Sequence, residues 1–346
     1  MNPVALLSLA TAVPPFAVTQ NEAKRLGREL FAGRKALFDR LSGVFDNAGI
    51  DQRNIVAPLD WYGHNHGWAE RNRVYLDAAD AMFLDAARTA IARAGLDPSD
   101  VDGIVTASTT GIATPSLDAR GATALGLRPD VRRIPMFGLG CAGGVSGLAT
   151  AARLAAAEPG TRWLFVTVET CSISIRLDTD DPAAIVATAL FGDGAAAAML
   201  CAGGPAGFAT VESAGEHLWP DSLGIMGWRV EDPGLAVIFD RSIPPFLAAN
   251  LAPAIDSILA GMGLQRGAID RLCSHPGGAK VIDAIEASLD IPPLDLERQM
   301  LREHGNMSAP TVFFVLEALV ARGLPHRTLM TALGPGFTLS AVSLVR

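Results

Sequence analysis

The sequence predicts an α/β protein built from two similar halves, and three observations support this prediction. The chain has 346 residues, of which 49% are hydrophobic and 18% are charged, so it can bury a large core and is too apolar to be disordered. Short apolar runs alternate with longer, alanine-rich runs of helical period, which is the pattern of layered α/β folds. In addition, three sequence elements recur in the same order in both halves.

The predicted strands begin at the N-terminus, where residues 4–14 (VALLSLATAVP) form the first strand. This segment has no basic start, so we do not interpret it as a signal peptide. Each later strand is a short, mostly apolar run. The later strands are predicted at residues 101–109, 132–139, 162–169, 195–201, 268–275, 328–333 and 337–345.

The predicted helices lie between these strands and cover residues 77–96, 141–158, 243–263 and 309–323. The helices at 141–158 and 309–323 lack an extended polar face, so we expect them to be buried in the centre of the fold. Residues 20–75 are richer in charged and aromatic side chains. We predict that they add helices and loops to the regular core.

The repeated elements are a strand with a polar turn, a helix that follows a glycine, and a glycine turn with a strand. They occupy residues 101–111, 140–154 and 191–200 in the first half, and residues 268–278, 305–319 and 334–345 in the second. We infer a duplication, with an N-terminal half of residues 1–205 and a C-terminal half of residues 206–346. Loose similarity also arises between unrelated α/β segments, and that alternative stays open.

Composition excludes several classes of protein. The net charge is −8 and no long basic run occurs, so we expect no nucleic-acid partner. The four cysteines form no CxxC pair, which argues against a metal centre or a disulfide scaffold. No run of eighteen apolar residues occurs, so we expect no membrane span and a cytoplasmic location.

Cys141 is the strongest candidate for a reactive side chain. It lies between a predicted strand and the helix at 141–158, within FGLGCAGG. A cysteine at a helix N-terminus meets free N–H groups and the positive end of the helix dipole, which favour its thiolate. The alternative is a buried structural cysteine, which is the favoured interpretation for Cys171, Cys201 and Cys273.

The same segment contains a G-x-G-x-x-G pattern at Gly138, Gly140 and Gly143, which suggests a dinucleotide site. The acidic residue expected roughly 20 positions further on is missing. Cys141 also occupies the place where a pyrophosphate would need room. A nicotinamide dehydrogenase is therefore a weaker alternative.

Two polar residues of the second half are the proposed companions of Cys141. His275 ends a predicted strand and precedes a Pro-Gly-Gly turn, and Asn306 occupies the position in the repeat that Cys141 occupies in the first half. Either residue alone is also compatible with a structural role. In a two-fold arrangement the two helix N-termini face each other, which would bring Cys141, His275 and Asn306 to one point.

A Cys/His/Asn set suits carbon–carbon bond formation. The cysteine can carry an acyl group as a thioester, while the histidine and the asparagine donate hydrogen bonds to the oxygen of an enolate. Decarboxylation of a malonyl thioester forms such an enolate without a general base. A Cys/His/Asn protease uses the same residue types, with the asparagine orienting the histidine.

Four motifs together resemble the type III polyketide synthases, the chalcone-synthase-like branch of the thiolase fold. They are GCAGG with Cys141, SHPGG with His275, GNMSAP with Asn306, and LGPGF at residues 333–337. Residues 125–133 and 189–197 match as well, and the similarity runs from about residue 85 to the end. The resemblance implies a thiolase-like, layered α-β-α-β-α fold. It also implies a homodimer that uses malonyl-CoA and an acyl-CoA starter directly, without metal or cofactor.

The resemblance also implies residue roles. Cys141 would be the nucleophile, His275 and Asn306 the decarboxylation and condensation pair, and Phe191 the gatekeeper between a coenzyme A tunnel and the cavity. The other implied pocket residues are Thr109, Thr110, Thr114, Cys171, Ser174, Ser308, Gly334, Pro335 and Gly336. The candidates for binding the coenzyme A phosphates are Arg53 and Lys280.

Three positions depart from the plant members of the family. Plant chalcone synthases have a methionine from the partner chain where this sequence has Thr114, and threonines where it has Cys171 and Ser174. The motifs GCAGG and ETCS resemble bacterial members, many of which accept fatty acyl starters. We therefore expect an alkylpyrone or alkylresorcinol product. The alternatives are an initiating β-ketoacyl-carrier-protein synthase, which shares the Cys/His/Asn set, and a catalytically inactive scaffold.

Overall fold

The computed structural model describes residues 3–176, 179 and 181–346, and its centre is a mixed sheet of nine strands. The strands are β1 (Val4–Ala12), β2 (Phe16–Thr19), β3 (Gln52–Ile55), β4 (Gly103–Ala107), β5 (Arg132–Met136), β6 (Arg162–Thr170), β7 (Asp193–Ala202), β8 (Ala209–Leu218), β9 (Met226–Glu231), β10 (Gly234–Phe239), β11 (Arg271–Ser274), β12 (Arg327–Gly334) and β13 (Thr338–Val345). The helices are α1 (Gln20–Leu30), α2 (Lys35–Leu41), α3 (Gly43–Asn47), α4 (Trp68–Arg93), α5 (Leu117–Leu125), α6 (Gly143–Ala157), α7 (Pro182–Leu190), α8 (Ile243–Gly261), α9 (Ala279–Leu289), α10 (Asp295–His304) and α11 (Thr311–Ala321).

The strand order of the sheet repeats in the two halves. The full order is β11-β12-β13-β8-β1-β7-β6-β4-β5. In the first half, β7 is antiparallel to β1 and β6, and β4 is parallel to β6. In the second half, β13 is antiparallel to β8 and β12, and β11 is parallel to β12. The duplication inferred from the sequence therefore has a counterpart in the topology, except that no described strand of the second half corresponds to β5.

Helices α6 and α11 occupy equivalent places and are buried, as the sequence predicts. α6 packs on β6, β7 and β4, and α11 packs on β1 and β11. Their N-terminal ends approach each other so closely that a Cβ atom at Gly144 would lie 2.3 Å from the carbonyl oxygen of Ala309. The two helix starts that carry the candidate residues therefore meet at the centre of the fold.

The eight strands and four helices predicted from the sequence are all present, and apart from the start of α4 their ends differ by at most three residues. Helix α4 begins at Trp68, nine residues before the predicted start at residue 77, because its first turns are rich in charged residues and carry little apolar signal. The segment 20–75 includes β3, which pairs with β2 in an antiparallel two-stranded sheet. Helices α1 to α3 lie between the two strands in the chain. The sequence analysis also missed β8, β9, β10, α5, α7, α9 and α10, most of which combine short length with mixed polarity.

Helix α8 alone among the described helices is long and apolar enough to cross a membrane by length and composition. Its buried residues, among them Leu247, Leu251, Ile255 and Leu259, pack in the same core cluster as Ile282 of α9. These contacts are those of a core helix. The absence of a membrane span and the cytoplasmic location stay predictions.

Candidate active site

Cys141 lies in the short turn of residues 140–142 that joins β5 to α6, and only 9% of it is exposed. It borders a cavity of about 30 Å³. Both halves and the β9–β10 hairpin contribute to the wall of this cavity. Its lining residues are Gly140, Cys141, Cys171, Phe191, Met226, Gly227, Trp228, Val237, Ile238, Phe239, Asn306, Ser308 and Pro335.

The Gly-Pro-Gly loop at residues 334–336 packs directly on the turn that carries Cys141. Gly140 has a φ of +47°, and a Cβ atom there would lie 2.7 Å from Cδ of Pro335. A Cβ atom at Gly334 would lie 2.5 Å from the carbonyl oxygen of Leu139. Both positions therefore require glycine, and the two glycine motifs of the sequence are two sides of one contact.

Asn306 is held firmly at the edge of the cavity. Its Nδ2 atom donates a hydrogen bond to the carbonyl oxygen of Gly277 at 3.1 Å, and its Oδ1 atom accepts one from the Ser308 N–H at 2.7 Å. Its backbone forms a parallel bridge with Phe191. Because Nδ2 carries two hydrogens and Gly277 takes one, the second can point to another acceptor.

His275 follows β11, where its backbone N–H donates to the Thr331 carbonyl oxygen at 2.8 Å. The imidazole is buried, and neither Nδ1 nor Nε2 has a hydrogen-bond partner among the described residues. A Cβ atom at Gly277 would lie 3.7 Å from Nε2 of this ring. Gly277 therefore lies against both the imidazole and the Asn306 amide. Cys141 and Asn306 line the same cavity, whereas His275 lines a different small cavity.

The charge state of the site differs from the sequence expectation. Burial raises the pKa of the Cys141 thiol to about 11, although hydrogen bonds from Ser308 and Asn306 lower it in part. Burial also lowers the pKa of His275 to about 3. Both shifts oppose the thiolate that the helix N-terminus favours, because burial disfavours the charged form of each group.

Thr109 and Thr110 lie behind Cys141 and do not line the cavity beside it. Both bind the buried carboxylate of Glu169, through the Thr109 N–H at 3.0 Å and the Thr110 hydroxyl at 2.7 Å. The Thr109 hydroxyl oxygen accepts a hydrogen bond from the Gly140 N–H at 3.2 Å. The prediction that these threonines line the pocket is therefore corrected. They lie outside the cavity, where Thr109 holds the turn that carries Cys141.

Glu169 itself was not identified from the sequence as a site residue. Burial raises its pKa to about 7, against the opposing effect of its hydrogen bonds to Thr109 and Thr110. Its negative charge also contributes to the raised pKa of Cys141. The useful signal in the sequence is a lone carboxylate at the end of the apolar strand RWLFVTVE.

The remaining predicted pocket residues divide into those at the cavity and those beside it. Cys171, Phe191, Ser308 and Pro335 line the cavity, and Gly334 and Gly336 belong to the adjoining loop. Ser174 is next to the cavity, and its hydroxyl donates to the Cys171 carbonyl oxygen at 2.6 Å. Thr114 is exposed and precedes a cis proline, so it does not line this chain's own cavity.

The β9–β10 hairpin forms a wall that the sequence analysis missed. Trp228 on β9 contacts Phe191, with ring centroids 5.9 Å apart. Met226, Gly227, Val237, Ile238 and Phe239 also line the cavity. Strand β9 is short and partly polar, and β10 is a short apolar run that the sequence analysis did not assign.

The two coenzyme A candidates differ in exposure. Lys280 is exposed near the start of α9, so its assignment stays a prediction. Arg53 is only 2% exposed, and its Nη1 atom donates to the Thr188 carbonyl oxygen at 2.9 Å. The prediction that Arg53 binds coenzyme A phosphates is wrong, because this guanidinium does not reach the surface.

Comparisons with known proteins agree with this geometry. Sequence models of the chalcone and stilbene synthases match residues 63–205 (N-terminal domain) and residues 210–346 (C-terminal domain). The chain is 35% identical to 1,3,6,8-tetrahydroxynaphthalene synthase of Streptomyces peucetius subsp. caesius, over 94% of this chain and 89% of that protein. It is 28% identical to the alpha-pyrone synthesis polyketide synthase-like Pks18 of Mycobacterium tuberculosis, over 96% of this chain and 89% of that protein.

A solved structure supports the same class. The crystal structure of 1,3,6,8-tetrahydroxynaphthalene synthase from Streptomyces coelicolor A3(2), a bacterial type III polyketide synthase, superposes with a TM-score of 0.92. The two chains are 27% identical, and the match covers 99% of each.

The fold and the cysteine-lined cavity define a thiolase-fold enzyme of the type III polyketide synthase class. This chain belongs to the chalcone and stilbene synthase family. The family and the fold predicted from the four motifs are therefore confirmed, and the enzyme is an acyltransferase of the polyketide synthase type. The roles of individual residues, the starter and the product belong to the proposal below.

Proposed function

We propose that this protein joins acyl units from coenzyme A thioesters by decarboxylative Claisen condensation, with Cys141, His275 and Asn306 as its catalytic residues. One observation carries the proposal. Cys141 and Asn306 line one cavity, and Gly277, whose carbonyl oxygen accepts a hydrogen bond from Asn306, also lies against the imidazole of His275, whose two ring nitrogens have no partner within the described part of the chain.

The first step loads the starter onto Cys141. The sulfur attacks the carbonyl carbon of an acyl-CoA, an acyl thioester forms on Cys141, and coenzyme A leaves. The thiol proton has to move before the sulfur attacks. Burial disfavours a charged thiolate and a charged imidazolium taken singly, so His275 can accept this proton only if the two charges form together and stabilise each other as an ion pair. The proton then passes to the departing coenzyme A sulfur.

The second step forms the nucleophile and the new bond. Malonyl-CoA loses CO₂, and the electron pair of the broken carbon–carbon bond becomes the enolate of the acetyl thioester. The free N–H of Asn306 and one N–H of His275 stabilise the enolate oxygen. The enolate carbon attacks the acyl thioester, and the Cys141 thiolate leaves with its electron pair. The acyl chain is now two carbons longer.

The proposed starter is a fatty acyl-CoA and the proposed product is an alkylpyrone or alkylresorcinol. The small side chain of Cys171 on the cavity wall supports an alkyl starter, and one relative is named for alpha-pyrone synthesis. The β9–β10 hairpin and Phe191 form a wall of the cavity beside Cys141, so we propose that an alkyl starter extends along this wall.

The deciding experiment incubates the purified enzyme with malonyl-CoA and a series of acyl-CoA starters from acetyl to long-chain, with products identified by mass. Long-chain products support the proposed starter. Products from malonyl-CoA alone, unchanged by added acyl-CoA, would reject the alkyl starter and leave the condensation chemistry intact. Absence of both products and decarboxylation would reject the function itself.

Two cavity variants test the wall residues in opposite directions. Trp228→Ala removes the largest side chain of the hairpin wall and should increase the use of long starters. Cys171→Phe fills the other wall and should reduce long-chain products relative to acetyl-primed ones. If both variants keep the starter preference of the parent, the alkyl chain lies elsewhere.

We also propose a homodimer. Ile112, Ile134 and Phe137 are 54%, 38% and 65% exposed, and Ile112 and Phe137 line one groove beside the loop that leads into the Cys141 turn. Exposed apolar clusters of this kind mark protein contacts. Light scattering after gel filtration should give a dimer for the parent and a monomer for Phe137→Asp.

A further inference from the structure

Arg53 is a buried cation that the proposed chemistry does not use. It lies on β3, in the two-stranded sheet that the N-terminal segment adds to the core. It is one of the largest fully buried side chains of the described residues. Burial of a guanidinium is unfavourable unless its charge and its donors are compensated. Its position beside the active site therefore calls for an explanation.

The guanidinium binds the end of α7. Its Nη1 atom donates to the carbonyl oxygens of Thr188 at 2.9 Å and Phe191 at 3.4 Å. A cation at the C-terminal end of a helix satisfies free carbonyl groups and interacts favourably with the helix dipole. Arg53 thereby fixes the backbone at Phe191, which lines the cavity.

The aliphatic part of Arg53 packs against the bridge between the two halves. Phe191 pairs with Asn306, the Gly192 N–H donates to the Asn306 carbonyl oxygen at 3.0 Å, and the Asn306 N–H donates to the Leu190 carbonyl oxygen at 2.9 Å. Cβ atoms at Gly192 and at Gly305 would lie 3.2 Å and 3.4 Å from Cβ of Arg53. One side chain therefore contacts both strands of the bridge.

Asp193 is the acidic counterpart of Arg53. It is fully buried, and it accepts hydrogen bonds from the N–H groups of Val56 at 2.8 Å and Ser172 at 2.7 Å. Burial lowers the pKa of Arg53 to about 10 and raises that of Asp193 to about 7, and the attraction between their opposite charges partly offsets both shifts. Through its hydrogen bonds, Asp193 links the residue after β3 to the residue after Cys171.

We propose that Arg53 is a positioning residue of the active site, which holds the Phe191–Asn306 bridge so that the Asn306 amide faces Cys141. This inference rests on the proposed role of Asn306 in decarboxylation. Arg53 has no contact with substrate in this arrangement and acts only through Asn306. Its loss should therefore impair the step that needs Asn306 more than the loading of Cys141.

The test uses Arg53→Lys, which keeps the charge beside Asp193 but ends one bond short of the two carbonyl oxygens. Malonyl-CoA decarboxylation should fall by about 10- to 100-fold, the range typical for lost positioning contacts. Acylation of Cys141, followed by intact-protein mass, should change less than about threefold. Arg327→Met is the matched control, because Arg327 pairs with Glu212 at 3.0 Å away from the cavity.

A second readout does not depend on condensing activity. Asn306 donates to the Cys141 thiol and helps to lower its pKa, so displacement of Asn306 should shift alkylation of Cys141 by iodoacetamide to higher pH. Peptide mass separates Cys141 from the other cysteines. The double variant Arg53→Met/Asp193→Asn removes both charges and carries the same test if Arg53→Lys fails to fold.

The outcomes separate this inference from the proposed function. A selective loss of decarboxylation together with an upward shift of the alkylation profile supports the positioning role. Parent-like behaviour of Arg53→Lys, or an equal loss of loading and decarboxylation, overturns it. If the parent enzyme does not decarboxylate malonyl-CoA, the proposed function fails, and the alkylation profile alone decides the role of Arg53.

Discussion

The N-terminal ends of α6 and α11 occupy equivalent positions in the two halves, yet they present different chemical groups to the cavity. The first presents the Cys141 thiol, whose pKa is raised by burial and lowered in part by Ser308 and Asn306 of the second half. The second presents the Asn306 amide, which is fixed by Gly277 and by the Ser308 N–H. The duplication supplies a pair of matching positions, and the residue at each position supplies the chemistry.

The difference also concerns how each position is held. The Cys141 turn rests on tight glycine contacts with the loop at residues 334–336 and on the Thr109–Gly140 hydrogen bond. The Asn306 turn instead crosses to the other half through its bridge with Phe191. Close packing and one hydrogen bond therefore position the proposed nucleophile, while hydrogen bonds across the two halves position the proposed donor.

The largest effect is expected from removing the reactive group at the start of α6. Cys141→Ala removes the atom that would carry the acyl group, so condensation should fall by on the order of 10³-fold or more. Malonyl-CoA decarboxylation should continue, because it needs only the donors on the α11 side. Product formation and CO₂ release measured on one sample test both statements. Full product formation by this variant would reject Cys141 as the nucleophile, and Cys201→Ala, in a buried strand, is the control.

The next largest effect is expected from removing the amide before α11. Asn306→Ala should reduce decarboxylation by about 10²- to 10³-fold, the usual consequence of removing one donor from an oxyanion site. Acyl loading of Cys141 should persist, because the thiol remains in place. Stopped assays that measure acyl-enzyme by mass and CO₂ release separately will show this split. A variant that loses loading and keeps decarboxylation would reverse the proposed roles.

Sequence patterns predicted residues for the centre of this candidate site and missed its walls. Cys141, His275 and Asn306 each stand at a strand end or a helix start, where spacing and glycine neighbours are visible in one dimension. The hairpin residue Trp228 carries no such signal, since its strand is short and partly polar. Arg53 was misassigned because its alignment with the family gives no information on burial, whereas the folded chain places it against the end of α7.

The charge state of Cys141 shows why a local pattern can mislead. The helix dipole is readable from the sequence, but desolvation depends on everything that covers the thiol. With a pKa of about 11, the thiolate fraction should rise about tenfold for each pH unit between pH 7 and pH 10. Iodoacetamide alkylation of Cys141, measured by peptide mass, should follow the same slope. A rate that is already constant from pH 6 to pH 8 would instead indicate a thiolate–imidazolium pair with His275.

The smallest expected effect tests the contact between the two helix starts. Gly144→Ala places a Cβ atom 2.3 Å from the Ala309 carbonyl oxygen, a backbone atom that cannot rotate away. We expect the free energy of unfolding to fall by about 1–3 kcal/mol, as for other overpacked cores. Urea unfolding followed by circular dichroism measures this change.

Gly143→Ala is the matched control, because the nearest atoms to a Cβ at that position are side-chain carbons at 3.5 Å and 3.6 Å. These are ordinary contacts, and alanine is the better helix former, so the control should change stability by less than about 1 kcal/mol. Equal destabilisation by both variants would show that the start of α6 tolerates no side chain at all. A cost confined to Gly144 would locate the constraint at the crossing with α11, where the two equivalent positions meet.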